Sequence, residues 1–250
     1  MKISAYQSGH PCWSELGTTD WPGAKQFYRT LLGWEMADLV APAGAFCMFT
    51  LEGDDLGAIF KLPEGEVSQW GGYFACDNLE ATIARAEAAG GSLLFGPHAV
   101  AQAGRMAHMV DPQGARFSLW QADKHIGARR FGESGSLCWM ELACREPSRA
   151  MDFYHRVFGW DFRTSSLPGM EYHEVLADGR ECGGIMPMDA EEPANWLLYF
   201  QVRDCDAVTG QALNLDGEVC VPPTDIPNVG RFSVLKDPQG ATFAVIALDF

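Results

Sequence analysis

Shifted along itself by 126 residues, the chain matches itself without gaps, and no other feature of its 250 residues restricts the fold so strongly. Cys12-Trp13 with Glu15-Leu16 falls on Cys138-Trp139 with Glu141-Leu142. Phe27-Tyr28 falls on Phe153-Tyr154, Gly33-Trp34 on Gly159-Trp160, and Tyr73-Phe74 on Tyr199-Phe200. Gly104-Arg105 recurs as Gly230-Arg231, and Asp111-Pro112-Gln113-Gly114-Ala115 as Asp237-Pro238-Gln239-Gly240-Ala241. A register held this long is duplication of a whole domain, not a solenoid of short repeats. Two halves follow, residues 1–122 and 134–250. The segment 123–133 has no core pattern and carries Lys124, Arg129 and Arg130, which predicts a solvated linker.

Each half reads as the same unit twice. Alternation over residues 12–18 predicts a strand with Trp13 and Glu15 on one face and Cys12, Ser14 and Leu16 on the other. Asp20 can cap a helix that has Pro22 in its first turn and Ala24, Phe27, Tyr28 and Leu31 on one face, ending at Gly33. Strand-like runs follow near 34–37, 46–51 and 58–62. The plan restarts at Tyr73–Cys76, with Asn78 capping a helix over 79–89 and strands near 92–95, 106–110 and 117–121. Asp-Pro-Gln-Gly fits the tight turn between the last two strands. The fold class is therefore α+β, with four βαβββ units in two tandem domains.

With 12% aromatic and 47% hydrophobic residues, the chain has the material for a full core and is not a disordered one. A net charge of -15 without a dense basic patch argues against nucleic acid and anionic membranes as partners. The N-terminus shows no signal-type apolar run, and no stretch approaches a membrane span. The eight cysteines form no Cys-x-x-Cys pair; they are expected to be reduced, mostly buried thiols in a cytoplasmic protein.

A βαβββ unit with a Phe-Tyr helix, a Gly-Trp exit and a terminal Asp-Pro-x-Gly hairpin resembles the vicinal oxygen chelate superfamily, which includes glyoxalase I, bleomycin-resistance proteins and extradiol dioxygenases. The resemblance spans about residues 11–122 and 136–248, most like two-domain glyoxalase-like proteins. It implies glyoxalase/bleomycin-resistance-like domains whose paired units roll their sheets into a cup for a small molecule. In the metal-dependent members, His, Gln or Glu ligands come from the first strand, the strand opening the second unit and the last strand. Those positions fall at Trp13, Gly71 and Ser118, and at Trp139, Leu197 and Ala244. None is a good donor for a divalent ion, so no cofactor is expected; a metal remains open only through a nonstandard set.

Glu15 and Glu141 each sit one alternation from a Trp, so both should enter the cups if the tryptophans do. An acid beside a Trp suits a cationic or aromatic ligand, which makes Trp13, Glu15, Trp139 and Glu141 candidate ligand-binding residues. Alternatively, each Glu bonds a neighbouring strand or pairs with Arg105 or Arg231, which recur in step and are carried as candidates too. Of six histidines, His10, His108 and His173 lie on or near strands. None recurs in the other half, where His108 meets Val234 and His173 meets Cys47. Glu15, Glu141 and His108 are the candidate acid–base residues. Three functions remain: a metal-independent small-molecule binder; a lyase, isomerase or dioxygenase with a nonstandard metal or acid–base site; and a structural module whose cups are filled by side chains. The partner expected is a small molecule, and the chain is expected to be a monomer or homodimer.

Overall fold

In the computed structural model, which describes residues 2–41, 44–167, 170–188 and 194–249, the βαβββ unit occurs four times. The first is β1 (Pro11–Thr18), α1 (Trp21–Leu32), β2 (Glu35–Ala41), β3 (Gly44–Leu51) and β4 (Asp54–Lys61). The second is β5 (Gln69–Ala75), α2 (Leu79–Ala88), β6 (Ser92–Val100), β7 (Gly104–Val110) and β8 (Arg116–Ala122). The second half repeats them as β9 (Leu137–Cys144), α3 (Pro147–Phe158), β10 (Asp161–Leu167), β11 (Met170–Ala177) and β12 (Arg180–Pro187), then β13 (Asn195–Gln201), α4 (Cys205–Asn214), β14 (Glu218–Ile226), β15 (Gly230–Lys236) and β16 (Thr242–Leu248). Each half forms one eight-stranded sheet, ordered β2-β3-β4-β1-β5-β8-β7-β6 and β10-β11-β12-β9-β13-β16-β15-β14. At the centre of each, the first strands of the two units run antiparallel, and each is flanked by the parallel last strand of its own unit.

Local signals explain the elements. The Asp20 carboxylate accepts from the Gly23 N–H at 3.2 Å, capping α1, and Gly33 stops that helix at φ 73°. Its buried face carries Ala24, Phe27, Tyr28 and Leu31. A bulge between Pro11 and Trp13 breaks the simple alternation, so Cys12 joins the buried cluster of Trp13 instead of facing away from it.

The repeated motifs meet across the halves. Tyr28 donates to Asp237 Oδ2 at 3.0 Å, and Tyr154 donates to Asp111 Oδ2 at 3.1 Å. Each aspartate also takes two backbone N–H groups of its own turn on Oδ1. Each tyrosine accepts an indole N–H, from Trp70 at 2.9 Å and Trp196 at 3.0 Å. Trp34 and Trp160 donate to Gly135 and Gly9 of the opposite half. The Phe-Tyr helix and the Asp-Pro-Gln-Gly turn thus form a reciprocal clasp, and one buried apolar core runs through both halves on the helix-covered side of the sheets.

The segment 123–133 is not a solvated linker. Ala128 and Arg130 are buried. Ala128 N–H donates to Cys12 O at 2.7 Å, and Arg129 N–H to Asp55 O at 2.7 Å. Arg130 bonds Asp54, Glu52 and Glu133. Of its basic residues, Arg130 pairs with an acidic strand end, whereas Lys124 and Arg129 are exposed and Lys124 donates to Gln102 Oε1. Among the described residues seven cysteines are buried and Cys220 is exposed, all as free thiols. No helix among the described residues is long and apolar enough to cross a membrane.

Candidate ligand-binding site

The face of the first sheet opposite the helices carries a second apolar cluster built on Trp13, Ala58, Tyr73 and Trp120. Strand pairing sets a polar group beside it: Glu15 lies opposite Gly71, Tyr73 beside Ser118, and His108 opposite Ser118. Tyr73 donates to Glu15 Oε2 at 2.6 Å, and His108 Nδ1 lies 2.7 Å from Ser118 Oγ. These four side chains line a cavity of about 240 Å³ together with Gly71. Leu94 and Phe95 line the same cavity from β6, at 50% and 48% exposure, and form an apolar rim.

The environment moves the two titratable groups toward each other. Burial, partly offset by hydrogen bonds from Tyr73 and Trp13, holds the Glu15 carboxyl above its ordinary value. Burial pulls His108 below its ordinary value, and the nearby positive charge of Arg116 adds to this. Arg116 also lines the cavity.

The second cup carries the same glutamate in a different setting. Glu141 is 8% exposed and accepts from Tyr172 at 2.8 Å and Tyr199 at 2.7 Å. Trp139 donates its indole N–H to Tyr172 Oη at 2.9 Å. Burial raises the Glu141 carboxyl, with both tyrosines opposing. Val234 and Ala244 stand where the first cup has His108 and Ser118, and Leu197 where it has Gly71; all three belong to an apolar cluster.

The candidates therefore separate. Glu15 and His108 converge on the cavity; Glu141 is enclosed by tyrosines. Trp13 does not line the cavity. It packs edge-on against His125 with centroids 5.0 Å apart, and Trp120 meets the same imidazole edge-on at 6.2 Å. Arg105 and Arg231 pair with neither glutamate. Arg105 bonds Glu80 at the start of α2, and Arg231 bonds Asp206 and Asp225. The reason is phase: Arg105 shares the helix-side face with core residues Ala107 and Met109, whereas Met106 belongs to the inner cluster. Sequence reasoning missed Tyr73, although its recurrence as Tyr199 marked it. In the sequence Ser118 and Gly71 read only as poor metal donors.

The wall of the first cup is short of donors for a divalent ion. The first cup offers one carboxylate bonded to a phenol and one imidazole bonded to a hydroxyl, and Gly71 supplies no side chain. Among the described residues no group of three His, Cys, Asp or Glu side chains is placed to hold an ion.

The family model described as the Glyoxalase/Bleomycin resistance protein/Dioxygenase superfamily matches residues 10–119 and 136–245. A Mycobacterium tuberculosis protein named as glyoxylase CFP32 is 40% identical over 253 residues, covering 98% of this chain and 97% of its own. Anthracycline biosynthesis protein DnrV of Streptomyces peucetius is 32% identical over 267 residues, covering 98% and 96%. Among solved structures, the Mn(II)-bound glyoxalase from Novosphingobium aromaticivorans superposes with a TM-score of 0.66 at 18% identity, over 97% of this chain and 83% of that one. The 2,3-dioxygenase LapB from Pseudomonas sp. KL28 gives 0.66 at 15% identity, over 98% and 94%. At those identities the structural likeness speaks for the fold.

Proposed function

The chain belongs to the glyoxalase/bleomycin resistance protein/dioxygenase superfamily, and from that premise we propose that its first cup binds a small aromatic molecule through side chains alone, without a divalent ion. The observation that carries this is the cavity of about 240 Å³ with Glu15–Tyr73 and His108–Ser118 on its wall and Phe95 at its rim. A hydroxyl or carbonyl of the ligand meets the polar wall, and its ring meets Phe95. An aromatic ligand suits the site better than a cation, because Arg116 shares the cavity and burial disfavours the charged form of Glu15. The cavity is smaller than the roughly 300–1,000 Å³ of drug-sized pockets, so part of a larger ligand would project past the rim. The name of the Streptomyces peucetius relative, which refers to anthracycline biosynthesis, agrees with an aromatic ligand.

Calorimetric titration with 2-naphthol tests this reading. The expected result is saturable binding that survives dialysis against EDTA and is lost in Ser118→Ala and His108→Ala. Absence of binding refutes the reading, and binding that needs an added divalent ion refutes its metal-free part.

One observation favours a second reading, an acid–base lyase or isomerase. Glu15 is shifted up and His108 down within one cavity, the arrangement that gives an acid and a base at neutral pH. Exchange of the C–H protons of hydroxyacetone in deuterated buffer, followed by NMR, tests it. Catalysed exchange that disappears in His108→Ala supports the enzyme; none above buffer rejects it for that substrate class.

A further inference from the structure

We infer that the chain has one working cup, opened by the missing side chain at Gly71 and closed in the second half by Leu197 and Tyr172. The inference rests on the reading of the first cup as the binding site. Gly71 and Leu197 occupy equivalent places, each paired across the sheet with its glutamate, Glu15 or Glu141. A Cβ built on Gly71 meets nothing closer than the Glu15 carbonyl oxygen at 3.9 Å, and its backbone is not in the left-handed region, so glycine there serves space and not conformation. Leu197 fills the corresponding space, packed with Tyr199 and Ala244.

A second exchange of small for large residues acts on the opposite side of the cup. A Cβ at Gly184 would lie 1.9 Å from Tyr172 Oη and 2.4 Å from its Cζ, so the Tyr172 ring occupies room that only a glycine leaves. The first half has Ala58 and Phe46 at these places. Ala58 keeps its methyl group, and Phe46 has no hydroxyl to reach Glu15. Tyr172 then satisfies Glu141 together with Tyr199, leaving both carboxyl oxygens bonded and the residue 8% exposed. Thus Gly71 sets access to the Glu15 wall, and the same glutamate in the second half is a packing group.

Access can be read without any ligand. A cysteine placed at Ser118→Cys reports the first cup and one at Ala244→Cys the second, with methyl methanethiosulfonate as reagent and peptide mass spectrometry resolving each site from the native thiols. Adding Gly71→Leu to Ser118→Cys is expected to slow its modification by at least about tenfold, since a buried thiolate reacts only as far as reagent reaches it. The melting temperature should not fall. Ala244→Cys is expected to react as slowly as buried Cys138, and Leu197→Ala to speed it. Unchanged reactivity of Ser118→Cys with Leu at 71, or an Ala244→Cys as fast as an exposed thiol in the parent background, overturns the inference. If Gly71→Leu fails to fold, the Leu197→Ala comparison decides alone. A parent chain that binds no 2-naphthol while these access results hold would remove the ligand reading and leave the asymmetry standing.

Discussion

Replacing Tyr154 by Phe removes one oxygen from the clasp between the halves, and the structure allows its cost to be worked out. The hydroxyl accepts the Trp196 indole N–H at 3.0 Å and donates to Asp111 Oδ2 at 3.1 Å. Its loss strands a buried indole donor, worth about 1–3 kcal/mol, and deprives a carboxylate of a charge-assisted bond, worth about 1.5–3 kcal/mol. Asp111 keeps the Gln113 and Ala115 N–H groups on Oδ1, and the variant no longer buries a hydroxyl. The net loss therefore lies in the lower part of the sum, about 2.5–4 kcal/mol. For a chain of this size that lowers the melting temperature by roughly 5–15 °C. Urea unfolding followed by tryptophan fluorescence measures it, with thermal melts as a check. Tyr28→Phe should cost a similar amount, because Trp70 and Asp237 surround Tyr28 in the same way. A loss below about 0.5 kcal/mol, the scatter of ordinary surface changes, would refute the clasp as a stabilising device. So would a large loss for one tyrosine and none for its twin.

Other outcomes follow from the two cups. Burial raises the folded-state pKa of Glu141, so the ionised form is the disfavoured one in the fold. The penalty is present above that raised value, is relieved as pH falls through it and is gone below the ordinary glutamate value. Glu141→Gln does not titrate, so unfolding curves at about pH 8 and about pH 5 should show the parent gaining stability relative to the variant on acidification; a constant difference would contradict the burial argument. Phe95→Ala removes an exposed aromatic contact at the rim, and calorimetry should show 2-naphthol binding weakened about three- to tenfold, matching about 0.5–1.5 kcal/mol, with the melting temperature unchanged.

Helix boundaries and the order of elements are legible in the sequence, because capping, turn chemistry and the internal repeat are local or self-evident; the face of a residue beside a bulge, such as Cys12, is not. Asp20, Pro22 and Gly33 bound α1 because capping and turn chemistry are local, and the offset of 126 gives the second half its elements in register. What it did not disclose depends on which face meets which neighbour. Tyr28 recurs as Tyr154 whether it packs within its half or reaches across, and only the packing of α1 against the second sheet, with Phe27 6.2 Å from Phe243, decides. Arg105 faces α2 and not Glu15 because of one step of phase at the start of β7, which its recurrence as Arg231 does not reveal. Ser118 and Gly71 carry no metal-donor signal in the sequence, and only the fold brings the Ser118 hydroxyl to the His108 imidazole and opens the space beside Gly71. The basic run around Arg130 reads as solvated by composition, but the partners that bury Arg130, Glu52 and Asp54, are distant in sequence.

The clasp is symmetric and the cups are not, and the energetics of the two layers explain why both can hold in one chain. A change in the clasp strands a group in the opposite half, so its two copies are coupled. A change on an inner face is felt only within its own cup. An open cup forgoes apolar burial that a filled one has, so the first half gives up stability for access and the second half does not. This makes the sign of one substitution decisive. Gly71→Leu should stabilise the fold by about 1–2 kcal/mol, from partial burial of the side chain and loss of glycine's freedom in the unfolded chain. Thermal unfolding should then shift upward by roughly 2–8 °C while 2-naphthol binding is lost. If the variant binds no ligand but melts lower, the space beside Glu15 is not open and the loss reports damage; if it melts higher and still binds, the ligand sits elsewhere.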